Sequence, residues 1–343
     1  MPPFPRFVPL AVILAVGAAF PTPAAAQLLP PTAGLADKPS AAADGSPSEA
    51  TEQVQRFRVG AVIKARRGAC RGIVATVAVP IECDEQSARV VEEDFTPHVE
   101  DVTFRDVVGG IARQMVITIP YLGDNEEARA VLTYEVRTRT TPPPTPAEAA
   151  AMSIPSRPPK GLRTFLKPSP FIESKNARVK RVARRVVEEA EAELGDGVVD
   201  WERLQAVYDH VIDSIRYVEG PDTSAMTTLR EGTADCHGRS ALFIALCRSL
   251  GVPARMVWVH NHCYPEFYLE SPDGEGRWLP AESAGTRAFG AMPVARTIMQ
   301  KGDSFRVPER RGERFHYAAG SVDGTPERGS GKPKITYVRE VAP

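Results

Sequence analysis

The chain has 343 residues, of which 43% are hydrophobic, so it is long enough for two domains with apolar cores. Its formal net charge of −1 at pH 7 gives no electrostatic reason to expect nucleic acid or an anionic membrane as a partner. Five cysteines are an odd number, so at least one thiol is unpaired within the chain. The composition therefore argues against nucleic-acid binding and leaves a free thiol to be explained.

The N-terminus has the pattern of a cleaved signal peptide. Arg6 supplies a positive charge, residues 8–20 are apolar, and three alanines precede Gln27. The apolar run is shorter than the roughly 20 residues that a helical membrane span needs. We predict a signal peptide at residues 1–26, export to the periplasm or the medium, and no stable membrane insertion after cleavage.

Residues 27–55 are rich in Ala, Pro, Ser and Gly without periodicity, which predicts a disordered linker. Residues 56–140 carry short β-branched runs such as "VATVAVPIEC" and "ARQMVITIP", separated by Gly, Pro, Asp and Asn. That spacing predicts a small antiparallel β domain. Cys70 and Cys83 both fall in it, and a disulfide between them would stabilise a small sheet by roughly 2–4 kcal/mol. We favour that disulfide slightly over two buried free thiols, because an exported protein allows it.

Residues 141–160 include "TTPPPTPAEAA" and predict a proline-rich linker. Residues 161–300 predict an α+β core, in which a central helix packs on an antiparallel sheet. The helix "CHGRSALFIALCRSLG" is apolar nearly all round and ends at Gly251, before Pro253. The runs "ARMVWVH", "HCYPEFYLE" and "WLPAES" then predict three strands. Past Ser283 we predict irregular structure, with a C-terminal extension at residues 301–343.

Residues 234–270 concentrate three of the five cysteines and three of the six histidines. Cys236 lies in the first turn of the predicted central helix, where the helix dipole favours a thiolate. Cys247 lies 11 residues on, inside the apolar stretch, and is expected to be an ordinary buried cysteine. About 16 Å of helix rise separates the two, so they share neither a disulfide nor a metal.

A nucleophilic thiol needs a base, and the base needs an orienting partner. In "HCYPEFYLE" the alternation places His262 on the polar face and Cys263 on the apolar face. Glu282, one hairpin later, is positioned to orient His262. His260 is the competing base, but it lacks the aromatic-x-Glu sequence that follows His262.

Two weaker assignments concern the neighbouring histidines. His237 is expected to be an exposed helix residue. A metal site made by Cys236, His260 and His262 would have only three plausible ligands and no close cysteine pair. We therefore expect no metal and no cofactor.

Residues 161 to about 285 resemble the transglutaminase-like cysteine-hydrolase core, a papain-like family that includes transglutaminases, peptide N-glycanases and bacterial proteases. The resemblance rests on "TADC" at 233–236, "CRSLGVPAR" at 247–255, "HCYPEFY" at 262–268 and "WLPAE" at 278–282. It covers about a third of the chain. Ala234 stands where the family usually has Gly, and Glu282 where it usually has Asp.

The resemblance implies an enzyme that attacks an amide or peptide carbonyl, with Cys236 as nucleophile, His262 as acid and base, and Glu282 as orienter. The partner would be a protein or peptide substrate. The alternative is an inactive module that binds a protein or a cell-envelope polymer through the same cleft. The complete Cys236–His262 pair favours the enzyme, and the Glu282 departure favours the module a little.

Overall fold

A computed structural model describes residues 49–327, 329 and 331–342. The predicted signal peptide and residues 27–48 of the predicted linker lie outside the described residues. The fold class is α+β, as predicted, with large antiparallel sheets and a helical layer. Among the described helices, none combines the length and apolarity that crossing a bilayer would require.

The first part of the described chain consists of long strands. In β1, alternate residues from Phe57 to Ile63 are buried, which is the pattern of a strand with one face on a core. The six strands are β1 (Glu52–Lys64), β2 (Cys70–Val79), β3 (Gln86–Phe95), β4 (Asp101–Asp106), β5 (Val108–Leu122) and β6 (Glu127–Arg139).

The helices follow, separated by short strands. Their bounds are α1 (Pro146–Ala151), α2 (Ala177–Leu194), α3 (Asp200–Ser214), β7 (Arg216–Tyr217), α4 (Ala225–Glu231), β8 (Thr233–Ala234) and α5 (Cys236–Ser249), with a 3-10 helix at Lys160–Leu166. From Ser240 to Arg248 every residue of α5 is buried, as expected for a central helix that is apolar all round.

The remaining strands complete the sheets. They are β9 (Ala254–Val259), β10 (His262–Glu270), β11 (Gly276–Glu282), β12 (Ala288–Phe289), β13 (Ile298–Arg306), β14 (Ser321–Pro326) and β15 (Lys334–Val341), with a 3-10 turn at Pro308–Arg310. The strands predicted at "ARMVWVH", "HCYPEFYLE" and "WLPAES" are confirmed as β9, β10 and β11.

Two large sheets organise these strands. A four-stranded sheet has the order β15-β1-β6-β3, and a nine-stranded sheet has the order β12-β11-β10-β9-β13-β5-β2-β14, with β4 on β5. The apolar faces of β1 and β6 pack on those of β2 and β5 in one cluster, while α5 packs on β9, β10 and β11 in another. Strand β13 joins the two halves, because it pairs with β9 on one side and β5 on the other.

Three sequence predictions about connecting segments are wrong. The disordered linker was predicted to run to residue 55, but β1 already begins at Glu52. The predicted proline-rich linker contains α1, and backbone bridges from Thr141 to Met292 and from Ser153 to Glu270 tie it to the core. The predicted irregular C-terminal extension forms β14, β15 and part of β13, because strands far back in the chain offer it unpaired edges.

The predicted disulfide is also wrong, since Cys70 and Cys83 are both free thiols. The run between them is one extended strand and not a loop. Cys70 is the first residue of β2, and Cys83 lies beyond its end at Val79. At about 3.3 Å per residue, β2 separates Cys70 from Val79 by roughly 30 Å, and the four further residues to Cys83 can return at most about 14 Å of that distance. A disulfide requires α-carbons within about 7 Å, so the fold prevents the bond.

Candidate active site

Cys236 is the first residue of α5. The Asp235 side chain caps the helix, because its Oδ1 accepts the Gly238 N–H at 3.0 Å. Cys236 is partly exposed, whereas the helix behind it is buried. The thiol therefore lies at the positive end of a helix that its packing holds rigidly.

His262 is the first residue of β10 and lies between a carboxylate and the thiol. Its Nε2 lies 2.9 Å from Oε1 and 3.0 Å from Oε2 of Glu282. The Cys236 thiol lies close enough to the imidazole to raise its pKa. Because Nε2 is engaged by Glu282, the nitrogen available to Cys236 is Nδ1. The hairpin of β10 and β11 produces this approach, since its register pairs Glu266 with Pro280 and so brings Glu282 diagonally toward His262.

Glu282 is held from three sides. Its Oε1 accepts the Ala284 N–H at 2.9 Å, and its Oε2 lies 3.5 Å from a guanidinium nitrogen of Arg296. The side chain is 4% exposed. Burial alone would raise the pKa of Glu282, but the hydrogen bonds and charges of His262, Ala284 and Arg296 outweigh it and lower the pKa. The carboxyl is therefore ionised and fixed in position at neutral pH.

The electrostatics favour an ion pair between thiol and imidazole. A hydrogen bond from Cys263 is the largest effect on Cys236; with the hydrogen bond and charge of His262 it outweighs burial and lowers the pKa of Cys236 well below its usual value. Burial opposes the charged form of His262, but Cys236 and Glu282 raise its pKa to about 9. Between these two pKa values the stable state is a thiolate beside an imidazolium.

Cys263 and Arg296 are two neighbours of this site that the sequence reasoning missed. The Cys263 thiol donates to Cys236 Sγ across 3.8 Å. We predicted correctly that Cys263 packs inward, but not that the inward face meets the first turn of α5. Burial and the contact with Cys236 raise the pKa of Cys263, so it remains a protonated donor. Arg296 lies in a loop without periodicity, and no sequence signal identifies it.

The structure separates the competing residues from the thiol. His260 packs edge-on against Phe57, with ring centroids 5.1 Å apart, so it does not join Cys236 in a metal site. Cys247 is fully buried, as predicted. His237 is only 1% exposed, so the prediction of an exposed helix residue is wrong. It is buried because Trp258 stacks on its ring, at a centroid distance of 5.5 Å.

Glu266, on the same strand as His262, has a structural environment. Its carboxylate accepts from Arg255 Nε at 2.7 Å and from Lys301 Nζ at 2.9 Å. A cavity of about 390 Å³ lies elsewhere, lined by Arg178, Arg181, Arg185 and His210 among others, and Cys236, His262 and Glu282 are not part of its lining.

A family model described as "Transglutaminase-like superfamily" matches residues 180–283, which span α2 to β11. No curated protein sequence matches the chain.

A solved structure from Cytophaga hutchinsonii, described as a "putative cysteine protease", has a TM-score of 0.52 and 16% identity, and covers 85% of this chain and 93% of that chain. It shares the fold. A second, described as a "putative protease" from Parabacteroides distasonis, covers 66% of this chain and 47% of that chain at 13% identity, and its TM-score of 0.25 supports no argument. Residues 180–283 are therefore a domain of the transglutaminase-like superfamily.

Proposed function

We propose that this protein is an exported thiol enzyme that cleaves or transfers an amide or peptide acyl group through Cys236, His262 and Glu282. One observation carries the proposal: a thiol at a helix N-terminus lies beside an imidazole, and a buried carboxylate holds that imidazole by its Nε2. A module that only binds a polymer has no physical need for this chain of three groups.

The chemistry begins with the Cys236 thiolate, which attacks the carbonyl carbon of the amide, while the carbonyl electrons move onto oxygen. The backbone N–H of Cys236, at the start of α5, is the natural donor to that oxyanion. Protonated His262 then gives its proton to the leaving amine, the C–N bond breaks, and a thioester to Cys236 remains. Water or a second amine, deprotonated by His262, attacks the thioester and releases the thiolate.

Glu282 orients His262 and stabilises its positive charge in both steps. Glu is one methylene longer than the Asp usual in the family, yet both of its oxygens lie within 3.0 Å of His262 Nε2. Arg296 and the Ala284 N–H hold the longer side chain in place. This support favours Glu282 as a working member of the triad and weakens the argument for an inactive module.

Export is the part of the proposal that rests on sequence alone. Cleavage before Gln27 would release a mature protein outside the cytoplasm. N-terminal sequencing of protein recovered from the periplasm or the medium tests this, and recovery of the intact Met1 form in membranes contradicts it.

Iodoacetamide labelling tests the thiol chemistry. Because the pKa of Cys236 is lowered, we expect Cys236 to be alkylated first near neutral pH, and its labelling rate to fall in His262→Ala. Cys247 and Cys263 are matched buried thiols, and burial raises the pKa of both. If Cys236 shows no preference and no amide is turned over, the binding-module alternative replaces this proposal.

A further inference from the structure

A cluster of three metal-ligating side chains lies beside the triad and takes no part in it. Asp222, His237 and His316 each offer one ligand atom, and these atoms all lie within 4.8 Å of one another. Asp222 precedes α4, His237 is the second residue of α5, and His316 lies between β13 and β14. Tertiary packing therefore brings together three segments that are distant in sequence.

Within this cluster, only Asp222 and His316 are joined by a hydrogen bond. His316 Nε2 lies 3.0 Å from Asp222 Oδ2, which is an ordinary hydrogen bond. His237 Nδ1 lies 4.0 Å from Asp222 Oδ1, too far to be one. The His237 side chain is 2% exposed, and its Nδ1 has no hydrogen-bond partner. A buried imidazole nitrogen without a partner costs free energy, and a ligand between His237 and Asp222 would remove that cost.

The dimensions suit a small divalent cation. Zn²⁺ binds imidazole nitrogen and carboxylate oxygen at about 2.0–2.2 Å, so tetrahedral ligand atoms stand roughly 3.2–3.6 Å apart. His316 Nε2 lies 3.0 Å from one oxygen of the Asp222 carboxylate and His237 Nδ1 lies 4.0 Å from the other, so each nitrogen is near the spacing that a shared ion requires. Phe171 and Trp258 pack against the His237 ring and hold its orientation.

We propose that Asp222, His237 and His316 bind one Zn²⁺ ion, with water as the fourth ligand. Two imidazoles and a carboxylate are a ligand set that Zn²⁺ accepts readily. The ion would tie the loop before α4 and the segment after β13 to the first turn of α5. Its binding stabilises the fold at the helix end that carries Cys236, whether or not that thiol is catalytic.

The test is a titration of the metal-stripped full chain with Zn²⁺, followed by calorimetry, in a Cys236→Ala background that removes the reactive thiol as a competing ligand. We expect one Zn²⁺ per chain and a higher Tm when it is bound. Asp222→Asn and His316→Gln should each lower the affinity more than about 100-fold. Both side chains are partly exposed, which makes misfolding a small concern, and His210→Gln is the control, with unchanged affinity.

A second measurement does not depend on the variants. Co²⁺ in the same background should give the visible absorption of tetrahedral coordination without the strong near-ultraviolet band of thiolate ligation. The proposal is overturned if the chain binds no stoichiometric Zn²⁺, if Asp222→Asn and His316→Gln bind it as tightly as the parent, if His210→Gln weakens binding equally, or if Co²⁺ shows thiolate ligation. None of these readouts uses turnover, so failure of the proposed enzyme activity is a separate result.

Discussion

Helix α5 carries one cysteine near each end, and the two thiols have opposite pKa shifts. At the first turn, Cys263 donates a hydrogen bond to Cys236 and His262 lies beside it, and both lower the pKa of Cys236. At the last turns, Cys247 is surrounded by apolar side chains, and burial raises its pKa. Beside it, Arg248 is buried but fully paired with Asp303 at 2.7 Å. The comparison shows that the groups beside a thiol, more than its helix, decide whether it is a nucleophile or part of the core.

The largest expected effect is at the first turn. Cys236→Ala and His262→Ala should each lower the turnover of an amide substrate at least about 1,000-fold, because either change removes the thiolate–imidazolium pair. The measurement is kcat/KM together with Tm, which should change little. Activity retained by Cys236→Ala would show that the nucleophile is assigned to the wrong residue.

Cys247→Ala is the matched control at the other end. It deletes a buried sulfur from the core and should lower the free energy of unfolding by about 1 kcal/mol. Turnover per folded molecule should stay at the wild-type level. Loss of turnover at unchanged Tm would indicate that Cys247, and not Cys236, is the nucleophile.

Arg248→Met should give the largest loss of stability. It leaves Asp303 as a buried, unpaired carboxylate, which costs about 3–5 kcal/mol of unfolding free energy. Chemical denaturation measures this. Arg287→Met is the control. Arg287 pairs with two carboxylates but is half exposed, and its loss should cost less than about 1 kcal/mol. If the two variants lose the same free energy of unfolding, the buried ion pair contributes no more than the surface pair, which would contradict this prediction.

Glu282→Gln should lower kcat/KM about 100-fold, less than loss of either partner, because His262 remains in place without its stabilising charge. The pH profile separates this effect from a structural one. In the wild type, activity should fall as pH rises through about 9, where His262 loses the proton that it gives to the leaving group. In Glu282→Gln that alkaline limb should move to lower pH, since an ionised carboxylate no longer favours the imidazolium. An unmoved limb would contradict the role of Glu282.

The smallest effect should come from Cys263. Its thiol donates to the Cys236 thiolate, so Cys263→Ala should lower kcat/KM a few-fold and raise the pH at which Cys236 ionises. Cys263→Ser keeps a donor and should restore the wild-type acid limb. If both variants shift the acid limb of the pH profile equally, Cys263 contributes through its packing and not through its hydrogen bond.

The sequence by itself determined the elements that carry the site. Helix α5 could be predicted because its apolar run is continuous and Gly251 and Pro253 mark its end. Strands β9, β10 and β11 could be predicted from β-branched and aromatic runs bounded by turn residues. The expectation that Cys236, His262 and Glu282 act together came from residue spacing and family resemblance, and it remains a prediction about roles.

Only the tertiary structure decided which distant residues meet. Cys70 and Cys83 lie at the start of β2 and beyond its end, whereas Cys236 and Cys263 approach to 3.8 Å across 27 positions. Strand β15 pairs with β1 from the opposite end of the chain. Local periodicity reports which face of an element is apolar, but it contains no information on which other element covers that face. The neighbours of Cys236, the support of Glu282 by Arg296 and the burial of His237 therefore followed from packing alone.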